Sequence, residues 1–257
     1  MKDIQKQKDN REIPIDQVGV KDLKYPIVLQ DKERETQSTI AKINMYVNLP
    51  HHFRGTHMSR FIEILNKYHR KLKIDTIGEV LSKMKKRLHA EEAHMNLEFP
   101  YFLEKETPIT ESTSMMEYNC SFDVTLDNNN EEDFIMGVEV PVNTLCPCSK
   151  EIAEKNAHNQ RSIISIKVRY NQLVWLEELI AYAEEAASSP VYSLLKREDE
   201  KYVTEKAYQN PRFVEDIVRN LALKLNREER VDWYKVESEN FESIHNHNAY
   251  AIVEKWK

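Results

Sequence analysis

Cysteine is scarce in this chain: Cys120, Cys146 and Cys148 are the only three in 257 residues. That is too few for a disulfide framework, and it argues against a closed structural zinc site, which wants four ligands in paired Cys or His elements. Long apolar runs are missing too. None approaches the ~18 residues that a membrane-spanning helix needs. The start, Met1-Lys-Asp-Ile-Gln-Lys-Gln, lacks the apolar core of a signal peptide. There is no excess of positive charge: 37 Lys and Arg stand against 43 Asp and Glu, a formal net charge of -6. General nucleic-acid binding through a basic surface is therefore not expected, and an anionic small substrate would need a locally positive pocket. These absences point to a cytoplasmic protein with free or metal-bound thiols and no membrane or nucleic-acid partner.

What is present is ordinary for a soluble globular protein, with 40% hydrophobic and 31% charged residues. The length suits one large domain or two ordinary ones. Residues 1–34 are polar and charged and are expected to form a tail and an arm. From Ile43 the chain alternates, with Ile43, Met45, Val47 and Leu49 apolar, which predicts a half-buried strand. A helix is expected to run to about Leu72. Another should start at Asp75 as N-cap, with Ile77, Val80, Leu81, Met84 and Leu88 on one stripe. Strands are predicted near 95–103 and 116–126, and Cys120 falls on the apolar set of the second, so it belongs to the core. The polar run Asp127-Asn-Asn-Asn-Glu-Glu-Asp133 is the best boundary, dividing residues 35–128 from 129–257.

The second part repeats the plan. Alternation predicts strands around 134–142 and 164–170, then a helix over 174–187. After the charged stretch Lys196-Arg-Glu-Asp-Glu200, Asn210-Pro211 has the form of an N-cap with proline at the first helical position. The stripe Phe213, Val214, Ile217, Val218, Leu221, Ala222, Leu225 marks the following helix, and strands at 231–240 and 248–256 close the chain. Two antiparallel sheets, each with a helix pair, make a tandem α+β architecture, and oligomerisation would cover the exposed faces and edges.

The densest chemistry lies between two of these strands, in Cys146-Pro-Cys-Ser-Lys-Glu-Ile-Ala-Glu-Lys-Asn-Ala-His158-Asn-Gln-Arg161. A thiolate and a neutral imidazole are good donors for a borderline-soft divalent ion, and a carboxylate from elsewhere would complete three ligands with a position open for water. The bland alternative keeps the cysteines as small residues near a turn fixed by Pro147 and His158 as a solvated histidine. A second cluster, Glu242-Ser-Ile-His245-Asn-His247, precedes the last strand. If extended, it puts both imidazoles on one face, suited to ligation or to proton transfer near neutral pH. The alternative is two surface histidines in a polar turn.

Six runs together resemble the type IB GTP cyclohydrolases: Gly55-Thr-His-Met-Ser-Arg-Phe61, Cys146-Pro-Cys-Ser, Ala157-His-Asn-Gln-Arg161, Asp199-Glu-Lys201, Asn210-Pro-Arg-Phe-Val-Glu-Asp216 and Glu242-Ser-Ile-His-Asn-His247. The resemblance covers nearly the whole chain beyond the N-terminal tail. It implies tandem tunnelling-fold modules, each a four-stranded antiparallel sheet with two helices. It also implies a homotetramer with active sites at subunit interfaces. The implied reaction converts GTP and water to formate and 7,8-dihydroneopterin triphosphate, the entry to tetrahydrofolate.

By the same resemblance Cys146, His158 and Glu200 are ligands of one divalent metal per active site, zinc or manganese. Glu200 is preferred to Glu198 and Glu205 because it stands in the Asp-Glu-Lys motif. His245 and His247 are the implied acid/base pair, with Glu242 orienting one ring, and Glu215 is the implied guanine anchor. From the first helical turn, Glu215 would also favour its own helix dipole. Cys148 is expected beside the site, as a neighbour of the ligands or a redox-sensitive partner of Cys146. Arg60 and Arg161, with Lys150 and Arg54 nearby, are candidates for the triphosphate. Three rival readings stand beside this one: an archaeal-type cyclohydrolase making a cyclic-phosphate pterin, another tunnelling-fold pterin or purine enzyme, and a purine-binding protein without turnover.

Overall fold

The computed structural model describes residue 5, residues 7–68 and residues 72–257. The chain divides into two compact units, the first comprising Met1–Pro100 and Ser121–Ile135, the second Tyr101–Cys120 and Met136–Lys257. Both are α+β, with antiparallel strands and helices whose apolar stripes are buried.

In the first unit, β1 (Ile15–Asp31) pairs with β2 (Glu35–Leu49), and β2 pairs with β3 (Ala93–Glu106). Residues 15–31 are thus a strand, where the sequence predicted an arm. Their alternation is hidden by register shifts between Ile15 and Val18 and between Val20 and Leu23, and by the exposure of the strand's first half. At the second shift Asp22 takes a left-handed conformation, φ 59°, and its N–H donates to Asn44 Oδ1 at 2.9 Å. Gly19 lies so close to the Met45 carbonyl that a β-carbon would run into it.

Helix α1 (Met58–Asn66) buries Phe61, Ile64 and Leu65. The predicted continuation toward Leu72 is not helical at Lys67 and Tyr68, and residues 69–71 lie outside the described residues. Helix α2 (Ile77–Leu88) buries the whole predicted stripe, Ile77, Val80, Leu81, Met84 and Leu88. Its N-cap is Thr76 rather than Asp75, because a 3-10 turn, Ile74–Thr76, takes up the expected first residues. The polar loop at 127–131 joins β4 (Thr113–Leu126) to β5 (Glu132–Leu145) inside this unit. Strands β3, β4 and β5 are each long enough to contribute residues to both units.

In the second unit β5 is followed by α3 (Pro147–Ile152), β6 (Asn159–Tyr170), α4 (Leu176–Ala186), the two-residue β7 (Ser189–Pro190), α5 (Arg197–Gln209), α6 (Val214–Arg227), β8 (Val231–Asn240) and β9 (Ala249–Trp256). The antiparallel order is β5-β6-β8-β9, with β7 also on β5. Val138, Val140, Val142, Ile164, Ile166 and Val168 supply the sheet's buried face, and Leu179, Ile180, Ile217, Val218, Leu221 and Leu225 the helices'. Each such side chain adds about 1.5–3 kcal/mol on leaving water. Cys120 is core as expected, and burial pushes its thiol well above the ordinary range.

Two expectations change here. The charged stretch from Arg197 is a 13-residue helix, α5, although only Asp199 and Ala207 are buried on it. Asn210 then ends α5, its N–H bonding to Lys206 O and Ala207 O, instead of starting the next helix. The start of α6 is fixed three residues later, where Asp216 Oδ2 accepts the Phe213 N–H at 3.0 Å.

Candidate active site

At one end of the second unit, backbone bonds gather the segments that carry the sequence motifs. Cys146 N–H donates to His158 O at 3.1 Å, bringing the thiol and imidazole residues together across the turn that ends β5 and begins β6. Arg212 N–H donates to Leu145 O at 3.0 Å, tying the lead-in of α6 to the residue before Cys146. Phe241 N–H donates to Arg161 O at 3.0 Å, setting the loop after β8 beside the start of β6. Glu242, His245 and His247 all lie on that loop.

Cys146 is itself the N-cap of α3. Its backbone is extended, Pro147 occupies the first helical turn, and its Sγ accepts the Ser149 N–H at 3.4 Å. Cys146 is half-buried while Cys148 is exposed. Ser149 also reaches the histidine, since its Oγ accepts the His158 N–H at 3.2 Å. Lys150 turns away to the Tyr208 carbonyl at the end of α5, with its ammonium 4.5 Å from the Tyr208 ring centroid.

His158 is half-buried, with Nδ1 3.0 Å from Gln160 Oε1 and 3.4 Å from Ser243 Oγ. Behind Gln160 runs a buried polar row: Gln160 Nε2 donates to Thr144 Oγ1 at 3.0 Å, Thr144 Oγ1 lies 2.7 Å from Ser162 Oγ, and Ser162 Oγ donates to Asn240 Oδ1 at 2.7 Å. The row joins β5, β6 and β8 at the point where β8 passes into the histidine loop. Sequence reasoning passed over Gln160, Ser162, Thr144 and Asn240. A signal existed, because Gln160 and Ser162 occupy the same alternation phase as the buried Ile164, Ile166 and Val168.

The loop bearing Glu242, His245 and His247 is a run of bends rather than an extended strand. The two imidazoles nevertheless stand together, exposed, with ring centroids 5.1 Å apart and planes 21° from parallel. Glu215 is exposed in the first turn of α6, and its neighbour Asp216 does the capping. Arg161 is exposed on β6.

Glu200 is exposed in the first turn of α5. The turn is anchored by its neighbour Asp199, whose carboxylate accepts from Ile109 N–H, Thr110 N–H, Thr110 Oγ1 and Lys196 N–H. Burial opposes the charge on Asp199, but those hydrogen bonds prevail and hold its carboxyl well below its ordinary value. Among the described residues, no three His, Cys, Asp or Glu side chains are gathered as an ion site within one chain. The backbone thus sets Cys146 and His158 side by side, and Glu200 does not complete a three-residue cluster with them.

The remaining candidates sit in the first unit. Arg60 Nη1 donates to Arg87 O at 3.1 Å, and Arg54 Nη1 to Gln7 Oε1 at 2.9 Å. That unit also contains a cavity of about 370 Å³ lined by Asp16, His51, His52, Glu91 and Glu92, among others, which includes none of the motif residues proposed for chemistry.

Solved structures with this architecture include urate oxidases of the tunnelling fold. The enzyme from Bacillus sp. TB-90 matches with a TM-score of 0.56 at 9% identity, over 95% of this chain and 100% of that one. The Arthrobacter globiformis uricase matches at 0.50 and 8%, over 94% and 93%. The class of protein is thus a tunnelling-fold α+β protein, and at such identity the likeness shows the fold alone. The family follows from sequence: the model described as "Type I GTP cyclohydrolase folE2" matches residues 1–251. A GTP cyclohydrolase FolE2 of Geotalea uraniireducens is 58% identical over 257 residues, covering 100% of this chain and 94% of the relative. One of Thermosipho africanus is 55% identical over 253 residues, covering 98% and 97%. The chain belongs to the type I GTP cyclohydrolase folE2 family.

Proposed function

We infer that this protein hydrolyses GTP, with water, to formate and 7,8-dihydroneopterin triphosphate, the first step of tetrahydrofolate synthesis, and that it needs a divalent metal to do so. The supporting observation is the backbone bond from Cys146 to His158, which sets a half-buried cysteine and a half-buried histidine across one turn, next to the histidine loop. That donor pair fits a borderline ion such as zinc, and with a carboxylate oxygen added the mixed set also admits manganese. Cys146, His158 and Glu200 would hold it. When bound, it supplies Lewis acidity and a nucleophile at neutral pH.

The chain's own residues supply the rest. Glu215, exposed and relieved of capping by Asp216, accepts from guanine N1–H and the exocyclic amine. Attack falls on C8 of the base and opens its imidazole ring. The ring-opening, formate release and later closure require proton transfers, which His245 and His247 perform as an adjacent exposed pair with Glu242 orienting one ring. Arg161 meets the triphosphate, with Arg60 as the second candidate.

The carboxylate ligand is supplied across an interface in a homotetramer. The absence of a three-residue ion cluster among the described residues of one chain supports this. So does the outer strand β9, which leaves Tyr250, Ile252 and Trp256 exposed at 55%, 46% and 64%. The site is read as cytoplasmic; among the described residues no helix is long and apolar enough to cross a membrane. The experiment is an assay of anaerobically purified protein with GTP under zinc and under manganese, alongside metal analysis and sedimentation. Stoichiometric formate with an uncyclised triphosphate pterin supports the reading. A cyclic-phosphate product, or GTP binding without formate, removes it in favour of the archaeal-type reaction or a binding protein.

A further inference from the structure

The polar row behind His158 is more than a set of satisfied buried groups, because hydroxyls and amides in series can carry only certain polarities. Thr144, Gln160, Ser162 and Asn240 are 0%, 7%, 0% and 3% exposed, so their polar atoms need hydrogen-bond partners, and three of those bonds run from one member of the row to the next. A hydroxyl has one proton to give. Ser162 gives its proton to Asn240 Oδ1, so Thr144 must donate to Ser162, and the Thr144 lone pair then faces Gln160. Only the Nε2 side of the Gln160 amide can answer it, which turns Oε1 toward His158 Nδ1. An amide oxygen cannot donate, so Nδ1 must carry the imidazole proton. That proton is shared with Ser243 Oγ, the other group near Nδ1, at 3.4 Å.

We propose that Gln160 is a positioning residue that sets the tautomer of His158: the row from Asn240 through Ser162 and Thr144 fixes its amide so that Nδ1 is protonated and Nε2 keeps a bare lone pair. Resting on the reading of His158 as a ligand, this makes Nε2 the donor atom, with its direction fixed before any ion arrives. Gln160 acts through His158 and touches neither ion nor substrate. Partners of this kind, one bond behind a histidine ligand, typically change metal affinity about 10–100-fold when removed.

The test uses the full chain, labelled with ¹⁵N-histidine, metal-free and anaerobic, with the His158 signals assigned by their loss in His158→Gln. Two-bond proton–nitrogen spectra report which ring nitrogen carries the proton, and competition with a chromophoric chelator reports Zn²⁺ affinity. The wild type is expected to show the Nδ1–H form. Gln160→Met should lose the pure form and bind Zn²⁺ about 10–100-fold more weakly. Gln160→Glu, which keeps an acceptor toward Nδ1 while Thr144 turns its hydroxyl proton to the second carboxylate oxygen, should restore the Nδ1–H form and most of the affinity. Thr144→Val, which frees the amide to turn over, should act like Gln160→Met and stands in for it if that variant does not fold. A wild type protonated on Nε2, or a Gln160→Met spectrum unchanged from wild type, overturns the proposal. A tautomer that shifts while Zn²⁺ affinity stays the same upholds the lock and instead removes His158 from the ligand set.

Discussion

The two compact units bury their apolar side chains in the same way but differ in what else they bury. Among the described residues, the first unit encloses three polar or charged residues, Asp31, Asn44 and Thr56. The second encloses nine: Thr107, Thr144, Gln160, Ser162, Ser188, Ser189, Asp199, Ser238 and Asn240. Burying a polar group costs free energy unless it is hydrogen-bonded, and a satisfied network contributes little that a well-packed apolar core would not. A concentration of such groups in one unit therefore marks where position, rather than stability alone, sets the side chains. The motif residues proposed for chemistry lie there as well, apart from Arg60. Among the described residues the first unit is mainly apolar scaffold, and the second adds a connected polar row at the end where the motif segments gather.

That contrast is broken or sharpened by substitution, beginning with the apolar cores, where the units should behave alike. Leu81→Ala in the first unit and Leu221→Ala in the second each empty a site that is 0% or 1% exposed. Each should lower stability by about 2–5 kcal/mol in denaturant titration. A negligible loss in either would mean that its core is not packed as described.

Next in size is a pair of neighbouring carboxylates on α6. Glu215→Ala should raise the KM for GTP by an amount equivalent to about 1.5–3 kcal/mol with stability nearly unchanged. Asp216→Ala should leave KM alone and cost about 0.5–1.5 kcal/mol of stability, because its carboxylate holds the Phe213 N–H. Exchange of the two phenotypes would place the guanine elsewhere.

The smallest expected effect is in acid. Glu228 is held at about 2, chiefly by hydrogen bonds from Arg230, and Asp199 lies well below its ordinary 3.8. Both folded values are depressed, so the stability these groups add is present above the unfolded values and is lost as pH falls through about 4.5 toward 2. Melting temperature followed from pH 7 to 2 should drop over that limb, and Asp199→Asn should flatten part of it. A curve that Asp199→Asn leaves unaltered would remove the anchoring role given to that residue.

Much of the scaffold was legible because burial leaves a period. The alternation of Tyr118, Cys120, Phe122, Val124 and Leu126, and the stripe from Val214 to Leu225, gave β4 and α6 directly. What escaped had no clean period. β1 is bulged and half exposed, and α5 buries only Asp199 and Ala207, so neither shows a continuous apolar face. Asn210-Pro211 misled because asparagine suits the end of one helix as well as the start of the next. At the site, residue types singled out the Cys146–Arg161 segment, and the family resemblance gave Cys146 and His158 their expected role as ligands. The row behind them was not readable, because its partners lie 16, 18 and 78 residues apart and meet only through strand register.

The central claim is that the chemistry is seated on the Cys146 turn, and its most direct measurement is formate release from GTP by Cys146→Ala with metal content determined on the same sample. The account predicts that turnover and bound metal are lost together while the fold persists. Normal turnover with metal retained would contradict it.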